Sequence, residues 1–177
     1  MTLKLVVAEP RPDLRHYWGR LSNKDYVEVR DTNIKSLLES QDVDCVVMPS
    51  WVHERLGGVP VPGTSAVLQN RHSEVGDVRW IATTPTFAAS AQDASEMKFP
   101  QWPTTARQQG LETFQRVLEA IRAHNGEPGA DSISVVGIDP DFLEFNADYE
   151  GEVSGVLDAL FGVAEGAKTP PSDGHTE

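Results

Sequence analysis

The chain has 177 residues, with 15 basic against 27 acidic side chains, a formal charge of -12, 39% hydrophobic and 24% charged residues. This fits one soluble globular domain, long enough to bury a core without crosslinks. One cysteine, Cys45, rules out an internal disulfide framework and a Cys-rich zinc site, and an acidic chain with no Lys/Arg cluster repels nucleic-acid backbones.

The opening MTLKLVVAEP lacks the basic start and long apolar run of a secretory signal. No stretch approaches the roughly 18–20 apolar residues of a membrane span. A soluble, cytoplasmic protein is expected, with neither nucleic acid nor membrane as partner. Residues 3–8 (LKLVVA) read as a first strand. Leu14, Tyr17, Trp18 and Leu21 then fall at i, i+3, i+4 and i+7, one apolar helical stripe with Asp13 behind Pro12 as its expected cap. YVEVRD (26–31) alternates as a short strand, and NIKSLLES (33–40) is a short amphipathic helix. VDCVVMP (43–49) is nearly all apolar, as in a strand covered on both faces of a parallel sheet. Cys45 lies inside it and reads as a small buried hydrophobe.

GGVPVPGTS (57–65) is too rich in Gly and Pro for regular structure. SAVLQN (65–70) and VRWIATTP (78–85) read as strands, and 88–103 as a surface loop. Thr104 or Thr105 caps a long helix whose buried face carries Leu111, Phe114, Val117, Leu118 and Ile121. HNGEPG (124–129) ends it with turn residues, and SISVVGI (132–138) is another buried strand. DPDFLEFNADYEGE reads as an acidic, solvated loop with Phe142, Leu143 and Phe145 folded inward. A final helix shares Val153, Val156, Leu157 and Leu160 on one face. The expected fold is a three-layer α/β/α sandwich with a mixed, largely parallel sheet over 1–164, followed by a disordered tail over 165–177. Ligands of such sheets sit beyond the carboxyl ends of the strands, so the loops after 49, 85 and 138 are the candidate site.

No phosphate-loop, dinucleotide, nucleophile-elbow or zincin motif is present. His53-Glu54 begins like a zincin motif, but Gly57 stands where the second histidine belongs, and the five histidines lack ligand spacing. Asp139 and Asp141 begin like a calcium loop, but Glu144 occupies the position that needs glycine. No metal site and no cofactor are expected. Asp31 and Thr32 follow a strand and precede a short helix. They are either a helix cap or, at Asp31, an acceptor for an amino group on a ligand's base.

Taken in order, "RDT", "VDCVVMPS" opening onto "GG", "RWIATTPTF", "TTARQQGLETFQRVLEAI" and "SISVVGI" resemble the macro domain, whose members bind ADP-ribose and in some cases hydrolyse ADP-ribose linkages. The resemblance spans most of residues 3–161 and rests on order and spacing. It implies that Asp31, followed by Thr32, holds an adenine amino group, that Gly57 and Gly58 form a first phosphate loop, and that Pro85 and Thr86 are the Pro-Thr before the long helix. Gly137 is what remains of a second phosphate loop that continues into Asp139.

The departures remove chemistry. Trp51 stands where catalytic members have an asparagine, and Pro60 where an aspartate would follow the glycines. Asp139 and Asp141 meet a diphosphate as like charges, at a cost on the order of 4 kcal/mol for a contact at about 4 Å and an effective dielectric near 20. Hydrolase activity is therefore not expected. Three readings stay open: a non-catalytic module for an ADP-ribose-like or adenine nucleotide; a protein-interaction or structural domain using Trp51, Trp80, Trp102 and the acidic face; and an enzyme built on His53, Glu54 and Asp139.

Overall fold

The computed structural model describes residues 3–19, 26–50, 63–70, 76–86, 103–143 and 148–161, with the side chains of 142 and 143 outside that description. The elements follow the expected order: β1 (Lys4–Ala8), α1 (Pro12–Gly19), β2 (Val27–Arg30), α2 (Ile34–Glu39), β3 (Cys45–Met48), β4 (Val67–Gln69), β5 (Trp80–Thr83), α3 (Ala106–Asn125), β6 (Val135–Ile138) and α4 (Tyr149–Phe161). A single 3-10 turn, Pro140–Leu143, follows β6. One six-stranded sheet has the order β2-β1-β6-β3-β5-β4. Five strands are parallel and β4 alone runs antiparallel, against β5. The mixed, largely parallel α/β sheet expected from the buried runs is what the chain forms.

Alternation along each strand divides two cores. Leu5, Val7, Cys45, Val47, Ala82, Val136 and Ile138 face Trp18 of α1, Phe114, Val117, Leu118 and Ile121 of α3, and Val153, Val156 and Leu157 of α4. Val6, Ala8, Val46, Met48 and Ile81 face Leu37 and Leu38 of α2. Among the described residues α2 alone covers this second face. Each fully buried Val, Leu, Ile or Phe contributes roughly 1.5–3 kcal/mol, so the first face holds most of the burial energy.

The helix ends differ from expectation in two places. Helix α1 begins at Pro12, whose missing N–H suits the first helical position, and Asp13 lies in the first turn rather than capping it. Helix α4 begins at Tyr149, inside the stretch read as an acidic loop, because the Asp148 carboxylate accepts the Gly151 N–H at 3.0 Å. Thr105 caps α3, its Oγ1 accepting the Gln108 N–H at 3.2 Å. Helices α3 and α4 cross closely. A Cβ at Gly110 would meet the Glu152 carbonyl, and one at Gly155 would meet the backbone of Arg107 and Leu111.

Candidate functional site at the carboxyl edge of the sheet

Parallel pairing brings the carboxyl ends of β2, β1, β6, β3 and β5 to one edge in that order. Asp31 follows β2, Glu9 follows β1, Asp139 follows β6, Pro49 and Ser50 follow β3, and Thr84 to Thr86 follow β5. The loops after 49, 85 and 138 thus leave the sheet side by side. Trp51, His53, Glu54, Gly57, Gly58 and Pro60 lie outside the described residues, as do Trp102 and the tail.

The centre of this edge is a hydrogen-bonded set that the sequence did not single out. Glu9 is fully buried. It accepts the Arg11 guanidinium at both oxygens, from Nε at 3.0 Å and Nη2 at 2.9 Å, and the Arg11 backbone N–H at 3.2 Å. Tyr149 Oη donates to Glu9 Oε1 at 2.7 Å and accepts the Trp18 Nε1–H at 2.7 Å. Arg11 Nη2 also reaches Asp141 Oδ1 at 2.8 Å, and its guanidinium stands 5.7 Å from the centre of the Tyr149 ring. Burial opposes ionisation of Glu9, but the bonds from Arg11 and Tyr149 outweigh it and hold the carboxyl below its ordinary range. The same bond raises Arg11, so the ion pair stays charged. Burial beside Glu9 pushes the Tyr149 phenol well above its usual value.

Asp139 behaves in the opposite way. Burial raises its pKa, with repulsion from Asp141 and Glu9 adding to it, although Asp139 Oδ1 accepts the Asp141 N–H at 2.9 Å. Glu9 and Asp139, on neighbouring strands, are therefore driven apart, one held ionised and one favouring the neutral form. Arg11 engages Asp141, which lowers the like-charge penalty that the sequence assigns to a diphosphate here.

Of the residues the resemblance implies, Asp31 is exposed at the end of edge strand β2, its carboxylate 3.6 Å from Arg15 Nη2. It does not cap α2. Asn33 does, its Oδ1 accepting the Ser36 N–H at 3.1 Å. Thr32 is half-buried beside it. Pro85 is buried, and the Thr86 carbonyl accepts the Gly63 N–H at 3.0 Å. Gly137 lies within β6, opposite Val6 and Val46, and a Cβ there would press on Leu37, Val43 and Val46. Its lack of a side chain serves core packing in the sheet. Asp139 is one strand away from Glu9 and two strands away from Asp31, with β1 between them.

No family model matches the chain, and comparison with curated proteins returns no significant match. Among the described residues no three His, Cys, Asp or Glu side chains are grouped to hold a metal ion, and no helix is long and apolar enough to cross a membrane.

Proposed function

We propose that the chain is a macro-domain-like, non-catalytic module that holds an ADP-ribose-like or other adenine nucleotide along the carboxyl edge of its sheet. The observation that carries this reading is Asp31. Asn33 takes over the capping role, and Asp31 is left exposed after β2 with only a loose ion pair, its carboxylate available to an exocyclic amino group. Support also comes from the shared edge, where the segments that the resemblance assigns to the ligand follow β2, β3, β5 and β6. Trp51 and Pro60 replace the polar groups of hydrolysing relatives, so the proposal includes no hydrolysis. A cytoplasmic location belongs to the same proposal.

The rival reading is a protein-interaction or structural domain that reuses the fold. It is favoured by the Glu9–Arg11–Tyr149–Trp18 set, whose hydrogen bonds close on one another without a ligand. Titration calorimetry with ADP-ribose separates the two. Micromolar binding, weakened about tenfold or more by Asp31→Ala, is expected for a nucleotide module. No heat at millimolar ligand sinks that reading and leaves the interaction domain, to be pursued by pull-down.

A further inference from the structure

We propose that a cavity lined by the end of α3, the turn after it and strands β4 and β5 is a binding site for a small organic ammonium ion. This inference does not rest on the nucleotide reading. Ser65 to Val67, Trp80, the end of α3 at Ala120, Ala123 and His124, and the turn over 127–131 line it, so it runs along β4 and β5 beside that helix end. Its volume is about 530 Å³, within the range of small-molecule sites. The turn that forms it is firmly built. Asn125 Oδ1 accepts the Ile133 N–H at 2.7 Å while its Nδ2 donates to the Ile133 carbonyl at 2.9 Å, and His124 Nε2 donates to the Asp131 carbonyl at 2.9 Å.

Three features of the lining select a cation. The first is aromatic: the Trp80 indole and the His124 imidazole meet with ring centres 4.3 Å apart, and an indole face is the strongest cation–π partner among side chains. The second is charge. Glu127 and Asp131 both line the cavity, and among the described residues that line it there is no Lys or Arg. Arg79 pairs with Asp131 at 2.8 Å, but both partners are mostly exposed, so that pair is weak. The third is the helix: α3, 20 residues long, ends at Asn125 and directs its negative end toward this turn. Ala66 and Ala120 line it with small side chains, which leaves room for methyl or methylene groups.

Choline and its neutral isostere dimethylbutanol make the test, since they share shape and differ in charge. Trp80 Nε1–H is enclosed and has no hydrogen-bond partner, so its NMR resonance reports on occupancy. Choline should shift that resonance saturably and bind roughly tenfold more tightly than dimethylbutanol. Glu127→Gln, an exposed change that leaves the fold intact, should weaken choline severalfold and leave dimethylbutanol unchanged. Trp80→Phe should keep part of the affinity and Trp80→Leu lose it. Equal binding of the two ligands overturns the proposal, because it identifies a merely apolar cavity. Absence of a saturable shift with either ligand up to high millimolar concentration overturns it as well.

Discussion

Glu152 lies in the first turn of α4, against α3, and is 4% exposed, with Oε2 enclosed and lacking any hydrogen-bond partner. Burial, reinforced by the nearby Asp148 carboxylate, pushes its pKa from 4.5 up to about 8. On the facing helix Arg107 is already committed to Asp158, its Nε donating at 2.8 Å. Folding therefore favours the protonated carboxyl. Below about pH 4.5 the group is neutral in both states and costs nothing. Between about pH 4.5 and 8 the unfolded chain ionises while the folded one keeps its proton, and stability falls as pH rises. Above about pH 8 the loss is complete. A displacement from 4.5 to about 8, at about 1.4 kcal/mol per pH unit, sets a ceiling of about 5 kcal/mol. That is a large part of the roughly 5–15 kcal/mol that holds a domain together.

Glu152→Gln keeps the shape and removes the titration. Urea denaturation of both proteins from pH 5 to pH 9 should give curves that diverge with pH. The variant should gain on the parent by about 3 kcal/mol or more at the alkaline end relative to the acid end. Parallel curves across that range would refute the reasoning and mean that the carboxyl reaches water or a partner.

Other perturbations probe the rest of the scaffold. Gly155→Ala drives a Cβ into the backbone of Arg107 and Leu111 and should cost about 3 kcal/mol in urea denaturation, whereas Gly19→Ala, with nothing within 4 Å, should cost nothing. Tyr149→Phe strips the acceptor from the Trp18 Nε1–H and one donor from Glu9; a loss of about 1–3 kcal/mol is expected, and an unchanged urea midpoint would deny the bridge. Burial raises the Cys45 thiol well above its ordinary value, so a thiol reagent should label it only at the rate of unfolding; rapid labelling of the native protein would remove Cys45 from β3.

The order of strands and helices was legible because each element carries its own period. VVM and VVGI are apolar throughout, and the α3 stripe returns Phe114, Val117, Leu118 and Ile121 to one face. The start of α4 was not legible. Residues 149–152 fall in the stretch read as an acidic loop, whereas Gly155, within the expected helix, is what lets α3 and α4 approach. Propensity measures an isolated helix, and here the packing partner overrides it. An available signal was Asp148 standing three residues before Gly151, the spacing of a side-chain cap.

At the site the limits are of a different kind. Asp31 read as a cap or as a ligand group, and the observed bond from Ser36 N–H to Asn33 Oδ1 removes the first of these. Gly137 lies within β6 just before an expected phosphate loop, and a glycine that clears space for Leu37, Val43 and Val46 looks the same in one dimension as one that clears space for phosphate. Glu9 had a signal of its own, a carboxylate closing an all-apolar strand between Ala8 and Pro10. Its partner did not, because Tyr149 is 140 residues away and is brought to it only by β1 and β6 pairing. The partners each collects explain why the two carboxylates behave so differently. Glu9 collects Arg11 from its own loop and Tyr149 from α4, while Asp139 has the Asp141 N–H and otherwise faces like charge. The Asp139 carboxyl should accordingly titrate above the ordinary aspartate value, and an NMR titration that finds it at or below that value would deny the contrast with Glu9.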